Sequence, residues 1–246
     1  MRALGRRDLP PQIDVAGKIY RKLRTVKHDF FAATGFYEHA PGDMVVLKMG
    51  RVEEFAGFPL KWIGAFLVSR ETRFYQKLAD VPNVPDFLGR YGTNGFIHRY
   101  VPGRPLEKDK PIPYGFFEEL KQLMLTVHAR GIAYVDANKP QNILLGDDGR
   151  PHLIDFQISW DTDELGNTWL NRLVLRRLQR EDMYHVLKHK RRMRPDELTE
   201  EERALGDHRS WTIRVHRFVT KPYFLFRRRI FKRMRETGRL LPDGSK

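Results

Sequence analysis

Residues 128–157 run His-Ala-Arg-Gly-Ile-Ala-Tyr-Val-Asp-Ala-Asn-Lys-Pro-Gln-Asn-Ile-Leu-Leu-Gly-Asp-Asp-Gly-Arg-Pro-His-Leu-Ile-Asp-Phe-Gln. Asn142-Ile143-Leu144-Leu145 reads as one strand and the apolar run ending at Ile154 as a second. The Gly146-Asp147-Asp148-Gly149 turn between them predicts a hairpin. Asp136 precedes the first strand and Asp155 follows the second, so pairing brings Asp136, Asn142 and Asp155 to one edge. Two carboxylates and a carboxamide converging there make a site for magnesium and a phosphoryl acceptor. Phosphoryl transfer asks the protein for positioning, a metal and a carboxylate that orients the attacking hydroxyl. Turn chemistry alone also places solvated acids in such a hairpin, and that reading suits Asp147 and Asp148. Asp136 and Asp155 each lie beside apolar residues, where carboxylates are seldom placed without partners.

At these residues the chain resembles the protein-kinase-like fold. Tyr134-Val135-Asp136 is similar to the His-Arg-Asp of that family's catalytic loop, Asn142 to its metal-binding Asn, and Asp155-Phe156-Gln157 to its Asp-Phe-Gly. Two departures stand out. The loop from Asp136 to Asn142 is a residue longer than the family's pattern, and Gln157 replaces its Gly. The resemblance implies ATP as donor, Mg2+ held by Asn142 and Asp155, and Asp136 accepting a hydrogen bond from the acceptor hydroxyl. The longer loop leaves Lys139 or Asn138 to face the γ-phosphate. Lys139 is favoured, because a cation there offsets charge on the transferring group.

A nucleotide site of this kind needs a strand Lys held by a Glu on the following helix. Residues 44–49, Met-Val-Val-Leu-Lys-Met, predict a strand with Lys48 near its end. Residues 68–78 predict a helix with Val68, Phe74, Tyr75 and Leu78 among its apolar positions and Glu71 in its first turns. Alone, a strand Lys and a helix Glu are ordinary surface residues; ahead of the hairpin they become the candidate grip on the α- and β-phosphates. Residues 96–106 read as a strand ending in a Pro-Gly turn and resemble the family's hinge, with Arg99 to Val101 meeting the adenine edge. His98 is either the side chain at the back of the pocket or a plain strand histidine contributing shape. The phosphate-covering loop is expected between Val26 and Tyr37. There Gly35 stands in the turn, Ala32, Ala33 and Thr34 let backbone amides approach phosphate, and Phe30 or Phe31 caps the tip. A single turn Gly is equally plain turn chemistry.

The expected fold class is α+β: a bilobal protein-kinase-like fold with a small β-rich N-lobe over residues 1–101 and a mostly helical C-lobe over residues 102–246. A chain of 246 residues with 41% hydrophobic content suits one bilobal domain with two packed cores. Phe116, Phe117, Leu120, Met124 and Val127 predict a buried helix over residues 116–129 that delivers the chain to the catalytic loop and ends at Gly131, with His128 packing near its end. Nothing after Trp160 resembles a long activation segment or an Ala-Pro-Glu motif, and residues 170–178 read as a helix. That brevity resembles the minimal kinases: the RIO family and the bacterial lipopolysaccharide-core kinases acting on Kdo or heptose. The absence of Cys excludes disulfides, Cys-ligated zinc and a Cys nucleophile, and fits a reducing cytoplasm. No signal-like apolar region and no apolar run of membrane-spanning length occur, so neither secretion nor a span is expected.

Charge is concentrated late in the chain. Residues 171–246 hold 22 Lys+Arg against 10 Asp+Glu, nearly all of the formal +14. Lys188-His189-Lys190-Arg191-Arg192-Met193-Arg194 is one basic run. Farther on, Tyr223, Phe226, Ile230 and Met234 fall on one helical face beside Arg227, Arg228, Arg229, Lys232 and Arg233. Such a helix docks its aromatic face on the lower lobe, lies on an anionic membrane, or binds an acidic substrate or, less favoured, nucleic acid. The resulting expectation is an ATP-dependent kinase in the cytoplasm, peripheral to the inner membrane face, acting on an anionic glycolipid core sugar. A RIO-like serine/threonine protein kinase and a membrane-associated pseudokinase are the alternatives.

Overall fold

A computed structural model describes residues 2–53, 61–163 and 166–207, with side chains through residue 204. The first part is one antiparallel sheet of β1 (Gln12–Val15), β2 (Lys18–His28), β3 (Ala32–Ala40), β4 (Asp43–Gly50), β5 (Phe87–Tyr91) and β6 (Gly95–Arg99), in the order β1-β2-β3-β4-β6-β5. Period-two alternation builds it. Ala33 and Tyr37 of β3, Val45 and Leu47 of β4 and Ile97 of β6 turn to one face and pack with Leu4, Leu9 and Ile13. Helix α1 (Lys61–Lys77) packs against β4 and β6. It buries Gly64, Val68, Glu71, Thr72 and Tyr75, spaced as one helical face. Gly64 is required there: a Cβ would lie 2.1 Å from the Arg51 carbonyl oxygen, so α1 sits hard on the chain leaving β4.

The second part holds β7 (Gly103–Pro105), α2 (Phe116–Ala129), β8 (Ile132–Ala133), β9 (Ile143–Gly146), β10 (Pro151–Leu153), β11 (Trp160–Asp161) and α3 (Trp169–Met193). The expected hairpin forms between β9 and β10, with Leu145 opposite Pro151 and Ile143 opposite Leu153; β7 adds on the β9 side. Its turn closes with the Gly149 N–H on the Gly146 carbonyl at 2.9 Å, with Gly149 at φ +79°. A second core runs from Val68, Phe74 and Tyr75 through Phe96 to Phe116, Leu120, Tyr134 and Phe156, so burial is continuous from α1 to α2. Arg2–Glu197 make one compact unit. In the other unit α4 (Glu200–Asp207) opens with a reciprocal cap: Glu202 N–H to Thr199 Oγ1 at 3.2 Å and Thr199 N–H to Glu202 Oε2 at 3.1 Å.

Two expectations are corrected. The helix expected over 68–78 begins at Lys61, because exposed Trp62 and Phe66 break the apolar periodicity. The strand expected over 96–106 is two strands, β6 and β7, separated at residues 100–102. The basic run 188–194 lies at the end of α3, which extends through Met193; Lys188 and Arg192 are exposed, His189 and Lys190 are buried, and the Lys190 ammonium meets Glu118 at 2.8 Å. The basic amphipathic helix around Tyr223 to Met234 lies outside the described residues. No helix among the described residues is long and apolar enough to cross a membrane.

Candidate active site

Lys48 lies on β4, the sheet's inner strand between β3 and β6, in register with Thr34 and Phe96. Its Nζ donates to Glu71 Oε1 of α1 and to Asp155 Oδ1 beyond β10, both at 2.8 Å. One ammonium therefore joins three elements far apart in sequence. Burial alone would lower the Lys48 pKa, but Glu71 and Asp155 overcome it and hold the group firmly protonated. Burial raises Glu71 to about 7 against the pull of Lys48. Its Oε2 is buried without a hydrogen-bond partner among the described residues. Burial would also raise Asp155, yet Lys48 wins and keeps that carboxyl below the ordinary range. Of the two carboxylates on Lys48, Asp155 is the firmly ionised one, and Glu71 titrates near neutrality.

Asp136 is buried, and its Oδ2 accepts from Lys139 Nζ at 2.7 Å and Asn142 Nδ2 at 2.8 Å. The longer loop is absorbed by consecutive tight turns, Lys139 N–H to the Asp136 carbonyl and Asn142 N–H to the Lys139 carbonyl, both 3.1 Å. His189 Nε2 lies 2.9 Å from the Ala137 carbonyl oxygen, so the imidazole as donor pins this loop from α3. Asn138 is exposed, and Lys139 is the side chain that reaches Asp136. The Ile154 N–H bonds the Asn142 carbonyl at 3.1 Å, setting Asn142 beside the chain that enters Asp155.

Sequence reasoning missed the groups that support these residues. Asp182 of α3 is buried; its Oδ2 accepts from the Tyr134 N–H at 2.7 Å and faces His128 Nε2 at 3.0 Å, and its Oδ1 accepts from the Val135 N–H at 2.7 Å. Burial raises its pKa, with His128 and the two amides opposing. The bonds hold Val135 at φ +69°, a costly conformation for a β-branched residue, just before Asp136; Asp155 stands at φ +63°. The only available signal was an acid buried on a helix whose exposed face is basic, which periodicity does not separate from a surface Asp. An aromatic column links the two halves: Tyr75 to Phe156 at 5.1 Å and Phe156 to Tyr134 at 5.2 Å, both edge-on. The Tyr134 hydroxyl serves the carbonyls of Asn142 and Ile154. His98 stacks on Tyr75 at 5.3 Å, and burial pushes its pKa down to about 4, so it is neutral and shapes this wall.

The segment after Asp155 is short and fastened to α1. Arg70 donates to the carbonyls of Gln157 (3.1 Å) and Ser159 (2.6 Å), while Arg73 (3.1 Å) and Lys77 (2.6 Å) meet the buried Asp161. This brace keeps Glu71 turned toward Lys48.

The phosphate-covering loop differs from expectation. The turn between β2 and β3 is residues 29–31, and Gly35 lies within β3 paired to Thr25 and Leu47. A Cβ at Gly35 would stand 2.7 Å from Leu9 Cδ1, so its smallness serves packing under the strand. The amides of Phe31 and Ala32 donate to Asp29 Oδ1 at 2.8 and 2.9 Å. Burial would raise Asp29, but these amides and Lys27 leave it below the ordinary value. Phe30 lies under the Arg51 guanidinium, 4.0 Å from its ring centroid. Ala33 and Thr34 lie in β3, paired to His28 and Lys27 of β2.

At the expected hinge, the Arg99 N–H bonds the Asp86 carbonyl (2.9 Å), its carbonyl meets His98 Nδ1 (2.9 Å) and its side chain reaches Asp43 (3.4 Å). Arg99 and Val101 line a cleft of about 290 Å³ shared with Asp86, Asp147 and His152. None of Lys48, Glu71, Asp136 or Asp155 lines it, so this cleft is separate from the charged cluster.

The donor set near Asp155 fits Mg2+. Asn142 Nδ2 is committed to Asp136, leaving Oδ1 as its metal-capable atom, and Asp155 Oδ2 has no hydrogen bond among the described residues. Two hard oxygens completed by water and phosphate suit this ion.

By sequence, neither a protein-family model nor a curated protein matches the chain. By structure it is similar to the Rio2 kinase–ADP/Mg2+–phosphoaspartate complex from Chaetomium thermophilum, at TM-score 0.54 and 16% identity over 72% of this chain and 57% of that one. It is also similar to the BubR1 kinase domain, at TM-score 0.52 and 15% identity over 78% of this chain and 67% of that one. The chain thus spans little more than half the length of the Rio2 kinase it matches. The fold is the bilobal protein-kinase-like one.

Proposed function

We propose that this chain, having the protein-kinase-like fold, is an ATP-dependent phosphotransferase acting on a hydroxyl acceptor. The observation that carries the reading is the one largely enclosed ammonium of Lys48 meeting both Glu71 and Asp155 at 2.8 Å. That cation is placed to receive the α- and β-phosphates, and Glu71 keeps it aimed. Asn142 and Asp155 would hold Mg2+, which when bound neutralises charge between the phosphates. Asp136 orients the acceptor hydroxyl, and Lys139 lies beside it to offset charge on the transferring group. The lobes are assigned to residues 1–101 and 102–246, with Arg99 to Val101 as the hinge along the adenine edge. Gly35 enters only as the small residue that lets Leu9 pack beneath β3.

For the acceptor we favour a lipopolysaccharide or other anionic glycolipid core sugar at the inner membrane face, because the last third of the chain is strongly basic. A protein Ser or Thr is the second acceptor class. Incubation of the full chain with labelled ATP and Mg2+, with membrane extract or with generic protein, followed by mass spectrometry of the products, separates the two. Label in a saccharide supports the first, and label in protein supports the second. Absence of Mg2+-dependent transfer in both defeats the phosphotransferase reading.

One observation favours a different reading, a pseudokinase that serves as a nucleotide-binding or scaffold module. Asp29 occupies the loop-tip amides that phosphate would use and sets a negative charge there. Under that reading Asp29→Asn leaves turnover absent. Under the phosphotransferase reading the same change raises ATP affinity.

A further inference from the structure

Helices α1 and α3 both carry large apolar side chains that the fold leaves in water. Trp62 and Phe66 on α1 are 68% and 60% exposed, and Trp169 at the start of α3 is 71% exposed, with Leu170 and Leu173 also exposed. The two faces are bridged. Phe66 lies one turn from Arg70, whose guanidinium is 5.9 Å from the Trp160 ring centroid, and Trp160 Nε1 donates to Asn171 Oδ1 of α3 at 2.9 Å. Exposed Ile158 precedes Trp160 in the same bridge. Apolar surface of this kind marks an interaction site rather than ordinary exposure.

Charge identifies the occupant. Residues 166–180 contain four arginines and no acid, and the sole carboxylate of α1 is Glu71, buried against Lys48. Along α1 and residues 166–180 the patch is therefore apolar with a cationic rim, and among the described residues the carboxylates nearest 166–180 in sequence, Asp163 and Glu181, are paired to Lys77 and Arg177. We infer that this surface docks the protein on an anionic lipid bilayer. The aromatic and aliphatic side chains enter the headgroup region, where Trp is favoured, and Arg172 and Arg176 meet lipid phosphates. A second copy is a poor occupant, since a two-fold contact through this face would set arginines against arginines. Docking on lipid is a property of the surface and does not rest on phosphotransferase activity. Ile158 is three residues from Asp155, so a bilayer held here adjoins the charged cluster; only the supply of a lipid-borne acceptor rests on the functional reading.

Flotation of the full chain with vesicles tests the inference, comparing phosphatidylcholine alone with phosphatidylcholine mixed with phosphatidylglycerol. The wild type should float with the anionic vesicles only. Trp169→Ser with Leu170→Ser, or Trp62→Ser with Phe66→Ser, should weaken partitioning about tenfold or more. Arg172→Gln with Arg176→Gln should weaken it roughly thirtyfold. Brominated acyl chains should quench the wild-type tryptophan emission, and the conservative Trp169→Phe, which spares the fold, should remove part of that quenching. Failure of the wild type to float overturns the inference. So does undiminished flotation of both apolar double variants, which moves the contact elsewhere, as does unquenched emission on anionic vesicles. A dimer that the apolar variants abolish without lipid binding also overturns it, in favour of a second copy.

Discussion

Asp155 is held by a cation from far across the sequence, and Asp136 by a cation and an amide of its own loop. Asp155 reaches across 107 positions of sequence to the Lys48 ammonium, and that ammonium is aimed by a second carboxylate on α1. Asp136 is set by neighbours three and six residues ahead, and the backbone before it hangs on the Asp182 carboxylate of α3. The upper support is thus a long-range electrostatic junction that pH disturbs. The lower support is a short hydrogen-bonded cradle that fails chiefly by unfolding or loss of register. Asp155 itself stands at φ +63° and Val135, just before Asp136, at φ +69°, so both supports hold backbone against local preference.

The largest expected effect removes either carboxylate. Asp136→Asn and Asp155→Asn should each lower Mg2+-dependent turnover by about a thousandfold. Only Asp155→Asn should also lower the Glu71 pKa, because it deletes a neighbouring negative charge. Titration of Glu71 by carboxyl-labelled NMR distinguishes them. An equal response in both variants would break the contrast between the long-range support of Asp155 and the local support of Asp136.

Next in size is Asp182→Ala. It leaves the amides of Tyr134 and Val135 and the His128 ring without their acceptor, and should cost about 3 kcal/mol or more in denaturant unfolding. Asp182→Asn retains one acceptor oxygen and should unfold later than the Ala variant while still transferring more slowly. A cost near zero for both would make the lower support dispensable.

Glu71 gives a pH test with opposite signs. Its folded-state pKa of about 7 exceeds the ordinary 4.5, so the folded chain binds this proton more tightly than the unfolded one. Its stability contribution is therefore fully present below about 4.5 and lost as pH rises through about 7. Nucleotide binding should run the other way, weakening as pH falls through about 7, because protonation releases Lys48 from its aiming carboxylate. Glu71→Gln should flatten both profiles in that window, read by thermal melts without nucleotide and by ATP titration. Asp155, whose pKa is lowered, contributes stability above the ordinary 3.8 that is lost only at more acidic pH.

What was legible in the sequence follows the same division. The hairpin, Asp136, Asn142 and Asp155 were readable because turn chemistry and apolar runs act locally. Lys48 and Glu71 were readable only through their order relative to that hairpin, and the structure brings Glu71 and Asp155 to the Lys48 ammonium. Asp182 and the aromatic column Tyr75–Phe156–Tyr134 were not readable, since their value lies in contacts between elements that no spacing encodes. Gly35 was misplaced because a Gly near a strand end looks like a turn, whereas here the close approach of Leu9 demands it. Arg70, Arg73 and Lys77 carried no sequence signal of their own, and they fasten α1 to residues 157–161.

The smallest expected effect concerns Gln157, the position where the resemblance calls for Gly. Glycine is needed where the backbone turns left-handed, and in this chain that turn falls on Asp155, while Gln157 is not among the positive-φ residues. Its contribution is a carbonyl, taken by Arg70 at 3.1 Å, which any residue supplies. Gln157→Gly should therefore leave turnover within about twofold and lower stability by about 1 kcal/mol or less, through greater freedom of the unfolded chain. Large gain of turnover in that variant would mean that the side chain at 157 obstructs the upper support. It would also move the weight of the functional reading toward a chain held inactive at this position.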